Sequence, residues 1–563
     1  MKRILILLLT AFVIACQPAE KKDKIIGLVA DSAMVVSAQP YASQVGVDIM
    51  KKGGNAVDAA IATQFALAVV FPAAGNIGGG GFMVIRMKDG SSSTLDYREK
   101  APLLATTNMY LDKDGNVIDG LSLAGHLASG VPGSVDGMVE AHKKFGTLAW
   151  KDLVQPAIDL ALKGIPVSER EANSLNELRK DLEKYNTIKP EFLIKEKWMP
   201  GDTIKWIDMG HTMERIRDQG RAGFYEGKTA EDIVAEMKRG KGLISLEDLQ
   251  NYHSKWREPV IANYKNFKII SMPPPSSGGL CVVQLLKSLE SYPIKDWGFN
   301  STKTIHLMVE AERRVFADRA KFMGDPDFFK VPIASLIDDQ YIDQRMSSFN
   351  PEKATPSSEV MAGNIPGYES EETTHYSVVD KDGNAVAVTT TLNLWFGSKV
   401  VVAGSGFFLN DEMDDFSSKP GVPNIFGVTG GTANKIEPNK RMLSAMSPTI
   451  VEKDGKLLMV AGSPGGSTII TSVFQVILNV IEHGMGMQEA VDARRIHSQW
   501  LPDAVIPEKG AISTKDSLTL TQLGHKLTQR PNIGRVDAIL VMKDGKLEGG
   551  ADRTRGDDTA KGY

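Results

Sequence analysis

Residues 375–391 carry the pattern that constrains the fold most: two strand-like runs joined by a short polar turn. The runs are His375–Val379 and Ala385–Thr391, and the turn between them reads Asp-Lys-Asp-Gly-Asn. An Asp-Gly pair between β-prone runs is a strong signal for a β-hairpin. Asp-Gly also joins strand-like runs within 449–460 and around 544–545. The sequence therefore predicts a sheet system built mostly from antiparallel hairpins.

Helix patterns surround these hairpins in the sequence. Ser43–Lys52 and Ala56–Val70 are predicted to form a helical hairpin, because two glycines end the first run. Leu280–Leu289 and Thr304–Phe322 are predicted to be further helices, and the region 130–290 is predicted to be mostly helical. The order of these elements favours helices packed on both faces of the sheets.

Two segments lack such periodicity. The glycine-rich stretch 75–81 is predicted to open a β-hairpin made of 82–86 and 94–98, and its glycines indicate close backbone packing. The stretch 351–372 is rich in Ser, Pro, Gly and Glu, which is typical of an exposed, mobile segment. Such a segment is a natural place for a chain to be cut.

Composition excludes several classes of protein. The 563 residues are 42% hydrophobic and 24% charged, which is typical of a globular chain with a large core. The formal net charge of -4 offers no basic excess for a nucleic-acid backbone. Length alone allows two to four domains or one large multilayer domain.

The first residues have the form of a removable leader. A positive start is followed by the apolar stretch Ile4–Ala15 and then by Cys16, and the apolar stretch is too short to span a bilayer. Residues 13–16 are similar to a bacterial lipobox, so 1–15 are predicted to be a lipoprotein signal peptide and Cys16 the lipidated residue. The residue after Cys16 is Gln17 and not Asp, which resembles the pattern that sorts lipoproteins to the outer membrane. The alternative is an ordinary secreted protein, and the only other cysteine, Cys281, leaves no disulfide to expect.

Familiar catalytic motifs are missing from the sequence. Gly462-Ser463-Pro464-Gly465 does not complete the Gly-x-Ser-x-Gly pattern of a nucleophile elbow, and no His-Glu-x-x-His or Cys-x-x-Cys supports a zinc site. The glycine-rich stretch lacks the Lys-Ser/Thr of a phosphate loop. No metal or organic cofactor is implied. What remains is Thr373, a threonine at the start of a strand directly after the acidic pair Glu371-Glu372.

From about Tyr41 to Tyr563 the chain resembles the γ-glutamyltranspeptidase family. The motif around Thr373 resembles the self-cleavage site of that family, and five further motifs occur in the same order. These motifs are Ala74–Phe82, Tyr97–Pro102, Met272–Gly279, Met413–Phe416 and Gly462–Ser467.

The resemblance implies a fold and a processing event. The fold is the N-terminal-nucleophile hydrolase fold, an α+β architecture of four layers, α/β/β/α. Thr373 would cut the bond after Glu372, leaving a large subunit, 16–372, and a small subunit, 373–563, in one folded unit. A threonine hydroxyl is a poor nucleophile, and the freed α-amine, with an ordinary pKa of roughly 7.7–8.0, can serve as its base.

The resemblance also assigns roles within a reaction on γ-glutamyl compounds such as glutathione. Thr373 would attack the γ-carbonyl, and water, an amino acid or a peptide amine would then take the glutamyl group. Backbone N–H groups of Gly465 and Gly466 would bind the oxyanion. Arg98 would hold the α-carboxylate of the substrate. Thr391 and Asn393 would form hydrogen bonds to the nucleophile and the headgroup. Asp415, together with Glu412, would bind the α-ammonium.

Two positions depart from the family pattern. The family usually has two adjacent serines that donate to the substrate carboxylate, whereas this chain has Ser444 followed by Ala445. One lost hydrogen bond to a charged group predicts weaker donor binding unless water or a neighbour replaces it. In the lid segment Phe426 stands where many bacterial relatives carry Tyr, which predicts looser closure and more hydrolysis relative to transfer.

Two rival functions stay open at this point. A related acylase that takes glutaryl or cephalosporin side chains could share the fold, although Asp415 argues against it because a glutaryl chain has no α-ammonium. An inactive, lipid-anchored binding protein is the other rival. The leader predicts a periplasmic location, with an outer-membrane lipid anchor of the Gram-negative type, or secretion.

Overall fold

The computed structural model of the protein describes residues 25–360, 373–419 and 431–563. The leader with Cys16, the residue before the predicted cut, Glu372, and the lid residue Phe426 lie outside these ranges. Within the described ranges, no helix combines the length and the apolar character that crossing a bilayer requires.

The strands are numbered in chain order. They are β1 (Leu28–Ala30), β2 (Met34–Ser37), β3 (Gly80–Arg86), β4 (Ser92–Asp96), β5 (Ile165–Pro166), β6 (Thr203–Ile204), β7 (Lys255–Arg257), β8 (Val260–Tyr264), β9 (Phe267–Ser271), β10 (Thr374–Val379), β11 (Ala385–Thr391), β12 (Thr449–Lys453), β13 (Lys456–Gly462), β14 (Ile496–His497), β15 (Ile506–Pro507), β16 (Asp537–Val541), β17 (Leu547–Ala551) and β18 (Thr559–Gly562).

The α-helices are numbered in the same way. They are α1 (Pro40–Lys51), α2 (Ala56–Val70), α3 (Ser134–Phe145), α4 (Trp150–Lys163), α5 (Glu169–Tyr185), α6 (Ile207–Gln219), α7 (Ala222–Tyr225), α8 (Gly227–Gly240), α9 (Leu246–Gln250), α10 (Gly278–Leu289), α11 (Ile294–Trp297), α12 (Thr302–Phe322), α13 (Ile333–Leu336), α14 (Asp339–Met346), α15 (Thr468–Ile481), α16 (Met487–Asp492) and α17 (Thr514–Leu523).

Two seven-stranded sheets form the centre of the molecule. The first has the order β1-β17-β16-β13-β12-β9-β8, and the second has the order β18-β2-β10-β11-β3-β4-β7. Neighbouring strands in both sheets are antiparallel. The second sheet therefore interleaves strands that precede residue 372 with strands that follow it.

The two sheets face each other, and helices cover their outer faces. Strands β10 and β11 contact β13 across the interface between the sheets. Helices α1 and α2 pack on the second sheet, and α10 and α15 pack on the first. Apolar side chains fill one core on the helix side of the second sheet and another between the sheets and beneath α10 and α15. This four-layer α/β/β/α arrangement confirms the predicted fold class.

Helix α2 shows how local sequence sets the layers. Asn55 and Asp58 form a capping box, in which the Asn55 side chain accepts from the Asp58 N–H at 3.0 Å and Asp58 accepts from the Asn55 N–H at 3.1 Å. Every residue of α2 is buried, which agrees with its largely apolar sequence. The helix ends at Phe71-Pro72, and the glycine-rich loop that follows it lies beside β11.

Most predicted elements are present with small shifts in their bounds. The three Asp-Gly hairpins are β10–β11, β12–β13 and β16–β17, and the predicted helical hairpin is α1–α2. The prediction for 130–290 misses strands β5 to β9, of which β8 and β9 belong to the first sheet. The described part of 351–372 is largely exposed or partly exposed, as predicted, although Ala354, Ser357 and Val360 are buried.

Candidate active site

Thr373 lies at the entry of β10, a central strand of the second sheet, and is 5% exposed. Strand β10 pairs with β11 so that Thr374 faces Thr390, which brings the start of β10 beside Thr391 at the end of β11. Both Thr373 and Thr391 line a small pocket, called the charged pocket below. Its other lining residues are Arg98, Arg319, Asn393, Glu412, Asp415, Phe416, Ser417, Asn434, Leu443, Ser444, Ala445, Met446, Gly466, Ser467 and Ile469.

Arg98 is the central charge of this pocket. It follows β4 and is fully buried, and its guanidinium pairs with Glu412 through Nη1 and with Asp415 through Nη2. The Arg98 Nε donates to the carbonyl of Met442 at 3.3 Å. Glu412 and Asp415 belong to one short 3₁₀ turn, Glu412–Asp415, which presents both acids to the same arginine. Arg98 thus lies between two carboxylates of the pocket.

Burial acts on all three groups. Burial would lower the pKa of Arg98, but the carboxylates of Glu412 and Asp415 hold that pKa above its ordinary value. Burial raises the pKa of Glu412 and of Asp415, although Arg98 opposes the shift in both cases. An incoming ammonium would stabilise both carboxylates, and an incoming carboxylate would stabilise the guanidinium. The arrangement suits a ligand that carries both charges close together.

Asn393 is fixed beside Thr391 by two hydrogen bonds. Its backbone N–H donates to Thr391 Oγ1 at 2.8 Å, and its Nδ2 donates to the carbonyl of Asp411 at 3.1 Å. Asn393 adopts a φ of 78°, a left-handed conformation that asparagine tolerates better than most residues. This turn places the amide of Asn393 and the hydroxyl of Thr391 in the same pocket as Thr373.

The glycine-rich loop supports the end of β11 from behind. The Nδ2 of Asn76 donates to the carbonyl of Thr391 at 2.9 Å. A Cβ on Gly79 would lie 2.1 Å from the Thr391 carbonyl oxygen, so only glycine permits this approach. The structure confirms the predicted role of these glycines in close backbone packing.

Gly465 and Gly466 form the turn between β13 and α15. Their φ values are 132° and 55°, and a Cβ on Gly465 would lie 2.4 Å from Thr468 Oγ1. The turn sits at the N-terminus of a 14-residue helix, where the helix dipole favours negative charge. Gly466 lines the charged pocket, and Gly465 lines a second pocket that also reaches Thr373. Each glycine therefore lines a pocket that also contains Thr373.

Ser444 and Ala445 lie on a segment that the proline-rich loop holds in place. The Ser277 N–H donates to the Ser444 carbonyl at 2.8 Å, and the Ser444 N–H donates to the carbonyl of Pro275 at 3.0 Å. Ser444 Oγ accepts from the Met446 N–H at 3.1 Å. The motif Met272–Gly279 thus positions the wall of the pocket.

Arg319 is a pocket residue that the sequence analysis missed. It lies near the end of α12, is 5% exposed, and its Nε donates to Ser277 Oγ at 2.8 Å. Arg319 also opposes the rise in the pKa of Asp415, after the larger effect of Arg98. The helical pattern of α12 gave no signal for this role, because only the fold brings the last turn of α12 to the pocket.

His375 is the histidine nearest to Thr373 in sequence, and it faces away from the charged pocket. Its Nδ1 lies 2.9 Å from Thr389 Oγ1 and its Nε2 lies 3.1 Å from Ser377 Oγ. Burial lowers the pKa of His375 to about 3, so the ring is neutral at pH 7. A Cβ on Gly462 would lie 2.3 Å from this ring, which shows that His375 packs between the two sheets. The base for Thr373 must come from elsewhere.

Among the described residues, His306, Glu310 and His525 are grouped closely enough to hold a metal ion. Glu310 already pairs with Arg313 at 2.7 Å and with Arg314 at 2.8 Å. Two arginines against one carboxylate do not favour a further cation. These three residues do not line the charged pocket.

The four layers, with Thr373 at the entry of a central strand, place the protein in the class of N-terminal-nucleophile hydrolase folds. The sequence model of the γ-glutamyltranspeptidase family matches residues 42–563. The chain belongs to this family.

Individual proteins agree with this assignment. A glutathione hydrolase proenzyme of Pseudomonas sp. (strain A14) is 48% identical, over 91% of this chain and 89% of its own length. The γ-glutamyltranspeptidase of Helicobacter pylori is 44% identical with a TM-score of 0.57, over 62% of this chain and 97% of that chain. A cephalosporin acylase of Bacillus halodurans has a TM-score of 0.84 at 26% identity, over 97% of this chain and 98% of that chain. The acylase shares the architecture, whereas the higher identity belongs to the glutathione hydrolase.

Proposed function

We propose that this protein is a γ-glutamyltransferase and glutathione hydrolase whose nucleophile is Thr373. The observation that carries the proposal is the position of Thr373 between the Arg98–Glu412–Asp415 charges and the Gly465–Gly466 turn. The identity to a glutathione hydrolase proenzyme supports glutathione and related γ-glutamyl compounds as substrates.

The charged pocket holds the glutamyl headgroup. On binding, the α-carboxylate replaces the acids as the partner of Arg98, and the α-ammonium replaces Arg98 as the partner of Asp415 and Glu412. Each buried charge therefore exchanges one partner for another and never loses its counter-charge. A glutaryl group would bring the carboxylate without the ammonium and leave Asp415 and Glu412 facing a second anion. The pocket thus disfavours the rival acylase function.

The reaction proceeds through an ester on Thr373. The free α-amine of Thr373 takes the hydroxyl proton while Oγ attacks the γ-carbonyl carbon, and the N–H groups of Gly465 and Gly466 stabilise the oxyanion. The proton then passes to the departing amine as the C–N bond breaks. Water hydrolyses the ester to glutamate, or the amine of an amino acid or peptide takes the glutamyl group. Thr391 and Asn393 hold the nucleophile and the headgroup during both steps.

The α-amine becomes available only when the bond between Glu372 and Thr373 is cut. We propose that Thr373 attacks the Glu372 carbonyl and that water hydrolyses the resulting ester, giving chains that end at 372 and begin at 373. The proenzyme name of the relative supports such processing. Residues 16–372 and 373–563 then form one folded unit.

One experiment tests the nucleophile and the cut together. Purified wild-type protein should run as two chains on a denaturing gel and hydrolyse a γ-glutamyl anilide. Thr373→Ala should run as one chain and lose at least about 10³-fold in kcat. A single wild-type chain with full activity would contradict the proposal. Two chains with no activity on γ-glutamyl or glutaryl anilides would favour the inactive binding protein.

We further propose that Cys16 carries a lipid and that this lipid anchors the protein outside the cytoplasm, at the outer membrane. The lipobox-like residues 13–16 support this location. Mass spectrometry of the intact protein from its native membrane should show an N-terminal Cys16 with added acyl chains, and Cys16→Ser should release the protein into the soluble fraction. An unmodified N-terminus elsewhere would contradict the anchor.

A further inference from the structure

A second pocket meets the charged pocket at Thr373. It has a volume of about 320 Å³, which is within the range of small-ligand sites, and it is called the apolar pocket below. Thr373 and Gly465 form part of its wall, whereas Thr373 and Gly466 form part of the wall of the charged pocket. The nucleophile and the two glycines thus stand at the border between the two pockets.

The apolar pocket is lined largely by hydrocarbon. Phe71 comes from the end of α2, Leu175 comes from α5, and Trp395 follows the Asn393 turn. Leu175 is 6% exposed, and the rings of Phe71 and Trp395 stack edge to face with centroids 5.5 Å apart. An apolar or aromatic side chain entering this pocket would leave water for a largely preformed apolar surface.

Two buried cations, Arg535 and Arg555, stand in the same wall, and Arg555 already pairs with Glu508 and Asp552. Arg535 is 9% exposed, and its guanidinium carbon lies 5.0 Å from the centroid of the Phe71 ring. Its Nε pairs with Asp558 at 3.1 Å, whereas Nη2 is buried and has no hydrogen-bond partner among the described residues. A buried guanidinium N–H without a partner is costly, and a carboxylate is the ligand that satisfies it best.

The reaction itself divides the substrate between the two pockets. The γ-carbonyl carbon must lie at Thr373 Oγ with its oxygen at the Gly465–Gly466 turn. The glutamyl half then occupies the charged pocket, so the half beyond the scissile nitrogen extends across the border. Because transfer is the reverse of the first step with a new amine, the entering amine passes through the same place as the departing one.

We propose that the apolar pocket is the amine site of this enzyme, and that it selects amino acids or peptides whose first residue has an apolar or aromatic side chain and whose free carboxylate reaches Arg535. This inference rests on the proposed γ-glutamyl transfer and adds the class of amine. In transfer, the amine nitrogen forms a bond to the γ-carbonyl carbon, the ester C–O bond to Thr373 breaks, and the amine proton returns to the hydroxyl.

The selectivity test uses pairs of donors that share the glutamyl group. Wild-type enzyme should have a kcat/KM at least about tenfold higher for γ-glutamyl-phenylalanine than for γ-glutamylglycine. Leu175→Ala should reduce this ratio at least threefold. Leu178→Ala is the matched control, since Leu178 is equally buried on the same helix and does not line the pocket; it should leave the ratio within twofold.

The carboxylate test compares γ-glutamyl-phenylalanine with its C-terminal amide. Wild-type enzyme should prefer the free carboxylate about tenfold, Arg535→Gln should remove the preference, and Arg535→Lys should restore part of it. If Arg535→Gln does not fold, the phenylalanine-to-glycine ratio of kcat/KM in Leu175→Ala still tests the apolar part of the proposal. The preference of the wild-type enzyme for the free carboxylate over the amide then tests the carboxylate part.

The outcomes separate this inference from the proposed function. An enzyme that cleaves γ-glutamyl anilides but shows equal kcat/KM for the phenylalanine and glycine donors overturns the inference alone. A Leu175→Ala protein that remains a single chain also overturns it, because the pocket would then serve the uncut precursor. Loss of all γ-glutamyl cleavage in the wild-type protein overturns the proposed function as well.

Discussion

Arg98 and Glu99 are consecutive in the chain and both fully buried, and Oε2 of Glu99 lies 3.6 Å from Nη1 of Arg98. Neither carboxylate oxygen of Glu99 has a hydrogen-bond partner among the described residues. Glu99 is therefore a third acid behind the arginine that also pairs with Glu412 and Asp415. Burial raises the pKa of Glu99 to about 7, against the opposing effect of Arg98.

This pKa predicts a pH-dependent stability. The unfolded chain releases the Glu99 proton near its ordinary pKa of about 4.3, whereas the folded protein keeps it until about pH 7. The stabilising contribution is thus full at low pH and is lost as the pH rises through about 7. Glu99→Gln cannot ionise, so its thermal midpoint relative to wild type should rise between pH 5 and pH 8. Melting curves measured in parallel at both pH values check this, and a constant difference would contradict it.

The turn at Gly465 predicts a catalytic loss on adding one methyl group. Gly465→Ala places a Cβ at a φ of 132° and within 2.4 Å of Thr468 Oγ1, so the backbone N–H must move. Loss of one oxyanion donor should lower kcat about 10²–10³-fold in a γ-glutamyl anilide assay. Gly484→Ala is the control, because Gly484 also has a positive φ of 66° but no atom within 4 Å of an added Cβ. Equal effects in the two variants would argue against a role of the turn in catalysis.

Ala445 predicts a gain in substrate affinity. It lines the charged pocket next to Ser444, where the family usually has a second serine donor. A new hydrogen bond to the α-carboxylate is worth roughly 1.5–3 kcal/mol, so Ala445→Ser should lower the KM of a γ-glutamyl anilide about tenfold. Ala445→Gly, which adds no donor, should not lower it. An unchanged KM in Ala445→Ser would refute the idea and would suggest that Arg319 already fills the role of the missing serine.

The neutral, buried state of His375 predicts which group controls the pH profile. With a pKa lowered to about 3 by burial, His375 does not titrate between pH 5 and 9. The acid limb of kcat/KM should instead report the α-amine of Thr373, so activity should rise with pH through about 7–8. His375→Asn should leave the midpoint of this limb in place even if it lowers stability. A displaced midpoint in that variant would point to His375 as the base.

The elements that local patterns specify could be predicted from the sequence. The β10–β11 hairpin has an Asp-Gly turn, and α2 is a mostly apolar run between Gly53-Gly54 and Phe71-Pro72, so both were predicted correctly. The β8–β9 hairpin was missed because its turn uses Lys265, with a φ of 52°, where the expected signal is glycine or asparagine.

The site was predictable to the extent that its residues lie in recognisable motifs. Thr373, Thr391, Asn393, Glu412, Asp415, Ser444 and Gly466 do line one pocket with Arg98. The pairing of Arg98 with the two acids, and the arrival of Arg319 from α12, depend on contacts between residues far apart in the chain. The roles of these residues stay predictions, as do the looser lid expected from Phe426 and the lipid on Cys16.

The strand order of the second sheet determines what a break before Thr373 does to the molecule. Strand β10 lies between β2 and β11, and β11 in turn lies beside β3, so each piece supplies direct neighbours for strands of the other. The first sheet also joins the two pieces, since β9 pairs with β12 and β1 pairs with β17. Neither piece has a complete sheet of its own. The two halves can therefore part only by unravelling both, and an active enzyme reassembled from separately made halves would require that they fold around each other.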